Sequence, residues 1–228
     1  MRIGVIAALP GELKPLVRGR QKMPVARGSG IAMWEWEVNG NQVVAVCAGM
    51  GAAAARRAFT AAEFSGSLDA VASVGWAGAL SELVKPGECY VVSEIVDSLT
   101  GERFSLASRG ERFVTTGHVA DAAEKHRLAS TYGAKLVDME AAAVARLAQM
   151  RGIPMRSFKA ISDALGANLP DLNPYIDVDG KMRMAAFLGH IAVRPEYWAA
   201  LAQLGRNSSV AATTLAEVTS AFLQDIDI

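Results

Sequence analysis

Short apolar runs alternate with alanine-rich, helix-forming stretches along most of the chain, and this limits the folds open to it more than any single motif does. Ile3-Gly4-Val5-Ile6-Ala7-Ala8 predicts a buried strand over 2–8. A helix follows from about Pro10, because proline suits a first helical turn where its missing N–H is not needed. Residues 31–38 place Trp34, Trp36 and Val38 on one face and Glu35 and Glu37 on the other. Asn39-Gly40 then marks a tight hairpin turn, with a returning strand over 43–48. A helix is expected over 52–64, and a strand over 71–74 that ends in Gly75-Trp76-Ala77-Gly78. Further strands are expected over 88–96, 113–115, 135–137 and 154–161, helices within 120–131 and 139–150, and a polar, turn-rich stretch over 98–112. A loop over 164–180 carries Pro170, Pro174 and Gly180. The remainder reads as helices over 181–192, 195–204 and 208–224, the last capped by Asn207-Ser208. This pattern predicts an α/β fold: a single domain over 1–228 with a mixed, mainly parallel central sheet flanked by helices.

Composition narrows the functional classes. Hydrophobic residues are 51% of 228, enough for a large core and against disorder. The 23 basic and 23 acidic residues cancel without forming a basic stripe, which argues against nucleic-acid binding. Cys47 and Cys89 lie in apolar strand-like runs and read as buried free thiols. With no disulfide framework, the expected location is a reducing cytoplasm. Met1-Arg2 leads directly into the first strand rather than a signal peptide, and no apolar stretch approaches the roughly 20 residues that span a bilayer.

His118, His126 and His190 share no metal-ligand spacing with one another or with the cysteines, so no metal site is expected. Gly49-Met50-Gly51-Ala52-Ala53-Ala54 loosely resembles a dinucleotide-binding turn, yet it is not in the first strand–helix unit. The next acidic residue, Asp69, precedes the following strand instead of ending it. The motif therefore reads as a tight turn allowing close backbone approach. Neither a Gly-x-Ser-x-Gly elbow nor a phosphate-binding Gly-x-x-x-x-Gly-Lys loop is present.

Three carboxylates stand where a predicted strand hands over to a helix: Glu12, Glu140 and Asp163. In open α/β sheets ligands bind beyond the carboxyl ends of the strands, so these side chains are expected to converge. A pocket rich in carboxylates and poor in histidine suits chemistry that develops positive charge on its substrate. Each also has a local structural role open to it. Glu12 sits in a first helical turn favoured by the helix dipole, Asp138 can cap the helix that contains Glu140, and Ser162-Asp163 can cap a turn.

Ala-Ile-Ser-Asp at 160–163, Val-Asp-Met-Glu-Ala at 137–141, Ala48-Gly49-Met50-Gly51, Gly75-Trp76-Ala77-Gly78-Ala79-Leu80 and the first strand with Glu12 together resemble the purine nucleoside phosphorylase superfamily. Within it the motifs are most similar to 5′-methylthioadenosine/S-adenosylhomocysteine nucleosidases, over residues 1 to about 165. The resemblance implies a three-layer nucleoside phosphorylase-like sandwich that cleaves the bond between ribose and a purine. Asp163 matches the family's general acid toward purine nitrogen-7, with Ser162 orienting it, and Glu12 matches the base that activates water. Glu140 matches the residue on the ribose hydroxyls, where an ionised carboxylate would favour a positive sugar, and Met139 packs on the sugar. Trp76, Ala77, Gly78 and the backbone at Val119 line the base and sugar pocket. The resemblance also implies no metal or organic cofactor, a small-molecule purine nucleoside as partner, and a homo-oligomer.

Five departures stand out. The segment over 97–112 is short, and Trp76 replaces a small or hydroxyl residue and is expected to crowd the ribose or phosphate side. Lys159 stands where arginine is frequent, and no base-stacking aromatic is evident near Val119. The tail, with Asp179-Gly180-Lys181-Met182-Arg183 and Arg194-Pro195, resembles hopanoid-associated nucleoside phosphorylases, which act on an adenosyl group carried by a lipid. Hydrolysis of an adenosine-type nucleoside is the leading expectation. Phosphorolysis, with a large apolar 5′ substituent, is the alternative within enzymes. A non-catalytic nucleoside-binding relative is a second class, and a dinucleotide-dependent oxidoreductase a remote one.

Overall fold

A computed structural model describes residues 1–226. Strand β1 (Arg2–Ala7) is buried along its whole length, as an apolar run without a polar face requires. It lies between β3 (Asn41–Cys47) and β4 (Ala70–Ala79), parallel to both. The antiparallel strand β2 (Ala32–Val38) forms the outer edge. The turn joining β2 and β3 has both central residues left-handed, Asn39 at φ 49° and Gly40 at φ 76°, which matches the twist of the strands it connects.

Beyond β4 the sheet curls on itself. The strands β8 (Leu136–Asp138), β7 (Glu111–Thr115), β5 (Cys89–Asp97) and β9 (Met155–Asp163) follow in that order, and β9 pairs back onto β4. These five strands close a barrel, with β6 (Arg103–Ser105) attached to the outside of β5. Four pairings are antiparallel and five parallel. The sheet is therefore mixed and partly closed, which corrects the expected mainly parallel sandwich. Closure is possible because β4 is ten residues long. Its length pairs with β1 and β9, while its end meets β8 at Gly78 and Ala79 past a bulge.

Helices α2 (Gly51–Phe64) and α4 (Ala141–Arg151) cover one face, packing Phe59, Ala55, Ala145 and Val144 against Ile6, Val44 and Val71. Alanine at these contacts lets both helices approach closely and carries no side-chain entropy cost. Helix α6 (Trp198–Gln224) and the single turn α1 (Pro10–Leu13) cover the other face, where Leu215, Leu223 and Leu13 meet Ile3, Val5 and Phe158. Alternation along β1 thus feeds two cores. Helix α3 (Ala122–Tyr132) caps the barrel side with Leu128 against Leu80 and Val114. Among the described residues no helix is long and apolar enough to cross a membrane.

Several local expectations are revised. Gly75-Trp76-Ala77-Gly78 lies inside β4 instead of after it, since β9 pairs along it and β8 joins at Gly78, while Trp76 N turns to Glu12. The polar stretch over 98–112 contains β6. Helix α5 (Met184–Ala192) starts after residue 181. Residues 198–224 form one helix, not two: no proline interrupts it, and Gln203 Nε2 donates to Asn207 Oδ1 at 2.7 Å where a cap was expected.

The segment around Gly180 is clamped onto the start of α2. Met50 N donates to Gly180 O at 2.8 Å, and Arg57 Nη2 donates to Asp179 O at 2.5 Å. Gly180 has φ +72°, and a Cβ there would fall 2.0 Å from Met50 O. Gly180→Ala is therefore expected to cost about 2–3 kcal/mol in a urea titration, from left-handed strain and the lost clamp together; stability within error of the parent would refute the clamp.

Candidate active site

Glu12 follows directly from the exit of β1. The chain leaves the strand at Ala8, Pro10 opens the helical turn, and the Glu12 side chain folds back under it. Oε2 accepts from Ala8 N at 2.8 Å and Leu9 N at 2.7 Å, and Oε1 accepts from Trp76 N at 2.8 Å. Gly75 makes this possible, because a Cβ there would lie 2.9 Å from Oε1. Burial raises the carboxyl's pKa above its ordinary value, against the opposing pull of the three amides and the Lys159 charge. The helix dipole alone does not explain Glu12: its principal holders are amides from two elements.

Glu140 sits at the start of α4. Its Oε1 accepts from Gly51 N at 2.6 Å and its Oε2 from Met139 N at 3.2 Å, so the close backbone approach at Gly49–Gly51 is an approach to this carboxyl. Burial, with the Asp138 charge second, pushes its pKa up to about 8. This favours the neutral acid, against the ionised form that the family resemblance implies.

Asp138 is the cap of α4, as expected, accepting from Ala141 N at 3.0 Å. It also accepts from Thr115 Oγ1 at 2.8 Å and Lys159 Nζ at 2.7 Å. Both members of the Asp138–Lys159 pair are 1% exposed. Burial works against the Lys159 charge, but Asp138, Glu140 and Glu12 around it raise its pKa above the usual lysine value.

Asp163 ends β9. Ser162 Oγ lies 2.7 Å from Oδ1. Lys125, buried on α3, donates from Nζ to Oδ2 and, at 2.7 Å, to Ala164 O. Gly78 keeps this corner open, since a Cβ there would lie 3.2 Å from Asp163 Oδ2.

One cavity of about 350 Å³ joins these groups. Glu12, Trp76, Ala77, Gly78, Val119, Met139, Glu140, Ser162 and Asp163 all line it. Trp76 walls the cavity without filling it: its ring lies over Gly11, where a Cβ would be 2.9 Å from Cη2. The Val119 backbone is engaged in both directions by one side chain. Asn173 Oδ1 accepts from Val119 N at 2.8 Å, and Asn173 Nδ2 donates to Val119 O at 3.0 Å. Cys47 is a buried free thiol and Cys89 a half-buried one. Burial pushes both up to about 12, so neither is a ready nucleophile.

Sequence reasoning missed Lys125 and Asn173. Glu-Lys-His-Arg at 124–127 reads as a solvated helix face. Lys125 nevertheless shares a face with the buried Leu128 three residues on, and that spacing was the available signal. Asn173 had none, since its partner is 54 residues away.

The family profile described as the phosphorylase superfamily matches residues 2–115 and 107–188. No curated protein is significantly similar in sequence. Among solved structures, the chain is similar to a Helicobacter pylori 5′-methylthioadenosine/S-adenosylhomocysteine nucleosidase in complex with a small molecule, with TM-score 0.73, 16% identity, and 99% of this chain and 98% of that one covered. The corresponding nucleosidase from Streptococcus pneumoniae, with a transition-state inhibitor, gives TM-score 0.72 and 20% identity, with both chains covered completely. A futalosine hydrolase from Helicobacter pylori gives TM-score 0.73 and 15% identity, covering 99% and 98%. At such identities these likenesses establish a shared fold.

Lys159→Met removes the partner of a fully buried Asp138 and is expected to cost about 3–5 kcal/mol in denaturant unfolding; a loss below about 1 kcal/mol would show that Asp138 is satisfied without it. For Glu140 the folded pKa, about 8, exceeds the unfolded value. Its contribution is therefore full below the unfolded pKa and is lost as pH rises through about 8. Glu140→Gln should flatten the fall in Tm between about pH 5 and about pH 8, and an unchanged slope would contradict the raised pKa.

Proposed function

The chain belongs to the phosphorylase superfamily, and on that premise we propose that it hydrolyses the N-glycosidic bond of an adenosine-type purine nucleoside. One observation carries this reading: Glu12, Glu140 and Asp163, from three separate parts of the chain, share one cavity of a size typical for small-molecule sites. The sugar gains positive charge as the base departs, and a cavity lined by carboxyl groups stabilises that charge more than it does the neutral ground state.

Asp163 serves as the general acid toward the departing purine. Ser162 Oγ holds Oδ1, and the Lys125 ammonium on Oδ2 keeps a proton within reach. Glu12 serves as the base toward water. Its amide contacts fix its aim, and its raised pKa makes it a stronger proton acceptor once ionised. Met139 and Glu140 take the sugar, with Trp76, Ala77 and Gly78 forming the adjoining wall.

Water is favoured over phosphate by the charge balance. Glu12, Asp138, Glu140 and Asp163 line the cavity, while Lys125 is committed to Asp163 and Lys159 to Asp138. A phosphate dianion would enter a site without an uncommitted cation. The Val119 N–H and C=O are both taken by the Asn173 carboxamide, so adenine as the base is proposed from the motif resemblance and is tested by the comparison with inosine below.

Release of free base from adenosine, methylthioadenosine, adenosylhomocysteine and inosine, each with and without phosphate, tests the reading. Turnover of the adenine nucleosides without phosphate is expected, and strict phosphate dependence would reject hydrolysis. Asp163→Asn should lose about 10²–10⁴-fold in kcat with the fold retained. Near-parental turnover in that variant would reject Asp163 as the acid, and purine binding without any turnover in the parent would leave a binding protein.

A further inference from the structure

Helix α5 carries no acidic residue, lysine or arginine along its length, and a helix apolar on all sides is ordinarily buried. Here only Phe187 and Ile191 are buried. They turn inward, with the Phe187 ring 5.5 Å from that of Tyr175. Met184 is 53% exposed, Leu188 57% and, just past the helix, Val193 77%. Trp198, at the start of α6, is 54% exposed, and its indole N–H donates to Ile191 O at 2.9 Å. We infer that this face docks on the surface of an anionic lipid bilayer, with Leu188, Val193 and Trp198 entering the acyl boundary and the arginines around them meeting the headgroups.

The inference stands without the cleavage reading. Helix α5 has nine residues. Its length is about 13 Å, less than half of what crosses a bilayer, so it lies in the interfacial plane and does not span. A contiguous apolar surface of this kind marks a protein or membrane contact. A tryptophan beside it suits the boundary between acyl chains and headgroups.

Charge separates a lipid surface from a second copy of the chain as the occupant. Arg183 stands at the N-cap of α5 and Arg194 directly follows Val193. Between residues 183 and 216 there are three arginines, the third being Arg206, and one acidic residue, Glu196. The arginines hold non-acidic partners. Arg183 Nη2 donates to Pro174 O at 2.5 Å, Arg194 Nη1 lies 2.6 Å from His190 Nδ1, and Arg206 Nη2 donates to Gln203 Oε1 at 2.7 Å. Among the described residues none of the three pairs with a carboxylate. A twofold contact repeats one patch on both sides, so it would set these cations against their own copies, with one glutamate per chain to offset them. Phosphate headgroups supply the opposite charge, and a flexible arginine stem lets the guanidinium reach them while its aliphatic part stays on apolar surface. Met184 also lines the cavity of the candidate active site, so a docked bilayer would stand beside that cavity's wall.

Flotation of the whole chain with vesicles tests the docking, using phosphatidylcholine alone or mixed equally with phosphatidylglycerol. The parent is expected to float with the mixed vesicles and to bind them about tenfold or more over the neutral ones. Raised salt should narrow that gap. The double variant Leu188→Glu, Val193→Glu should bind about tenfold or more weakly, with its circular dichroism and Tm unchanged because both positions are exposed. Tryptophan emission of the parent should move to shorter wavelength on the mixed vesicles, and Trp198→Phe should lose that shift; this readout is decisive if the double variant fails to fold. A parent that stays in the soluble fraction overturns the inference, as does equal binding to both vesicle types, binding that the double variant retains, or an emission shift that survives Trp198→Phe. A parent dimer in sedimentation velocity that the double variant dissociates overturns it as well, by assigning the face to a second copy.

Discussion

The joint between barrel and helix depends on one buried ion pair. Asp138 ends β8, accepts a hydrogen bond from the Thr115 hydroxyl on β7, bonds the first amide of α4 at Ala141 and accepts from the Lys159 ammonium of β9. Removing two charges from water is costly, and an apolar pair of equal volume could hold these elements together as tightly. Hydrophobic contact would not give direction. The pair sets where β7, β8 and β9 stand around the start of α4, and hence where Glu140 begins that helix. Its field also reaches Glu140 and Glu12, so that three of the four cavity acids, Asp138 among them, lie under the influence of Lys159.

The cavity is built on opposed tendencies. Desolvation drives Glu12 and Glu140 toward the neutral form, while amide donors and Lys159 favour the charged one. Neither acid is released to solvent, and neither is neutralised by a dedicated counter-ion. The two ammonium groups in the region are held by Asp138 and Asp163. The proposed substrate becomes cationic as it reacts, and the carboxyl groups that would meet it are already in place.

Local pattern made most of the fold legible. Strands such as β1 and β3 declare themselves by apolar runs, and the Asn39-Gly40 turn by its chemistry. The closure of the barrel was not legible. It depends on β4 meeting β8 and β9, which are distant in sequence, and a three-residue strand such as β8 carries no periodicity to reveal its direction. The same contrast holds in the site. Glu12, Glu140 and Asp163 were readable because strand ends are predictable. Lys125 was masked by its charged neighbours, Asn173 acts across a fold-dependent contact, and the raised pKa of Glu140 arises from burial that only tertiary packing creates.

The hold on Glu12 ties the chemistry to the sheet. One carboxylate oxygen is seated on the main chain of β4, at Trp76, against a glycine with no side chain to push it away. That strand is locked to β1 on one side and β9 on the other, so it cannot slip by a residue without unzipping both neighbours. The aim of this acid is therefore as stiff as the strand ladder itself. In the proposed reaction, damage far along β4 would reach the attacking water as a misdirected lone pair well before it registered as unfolding.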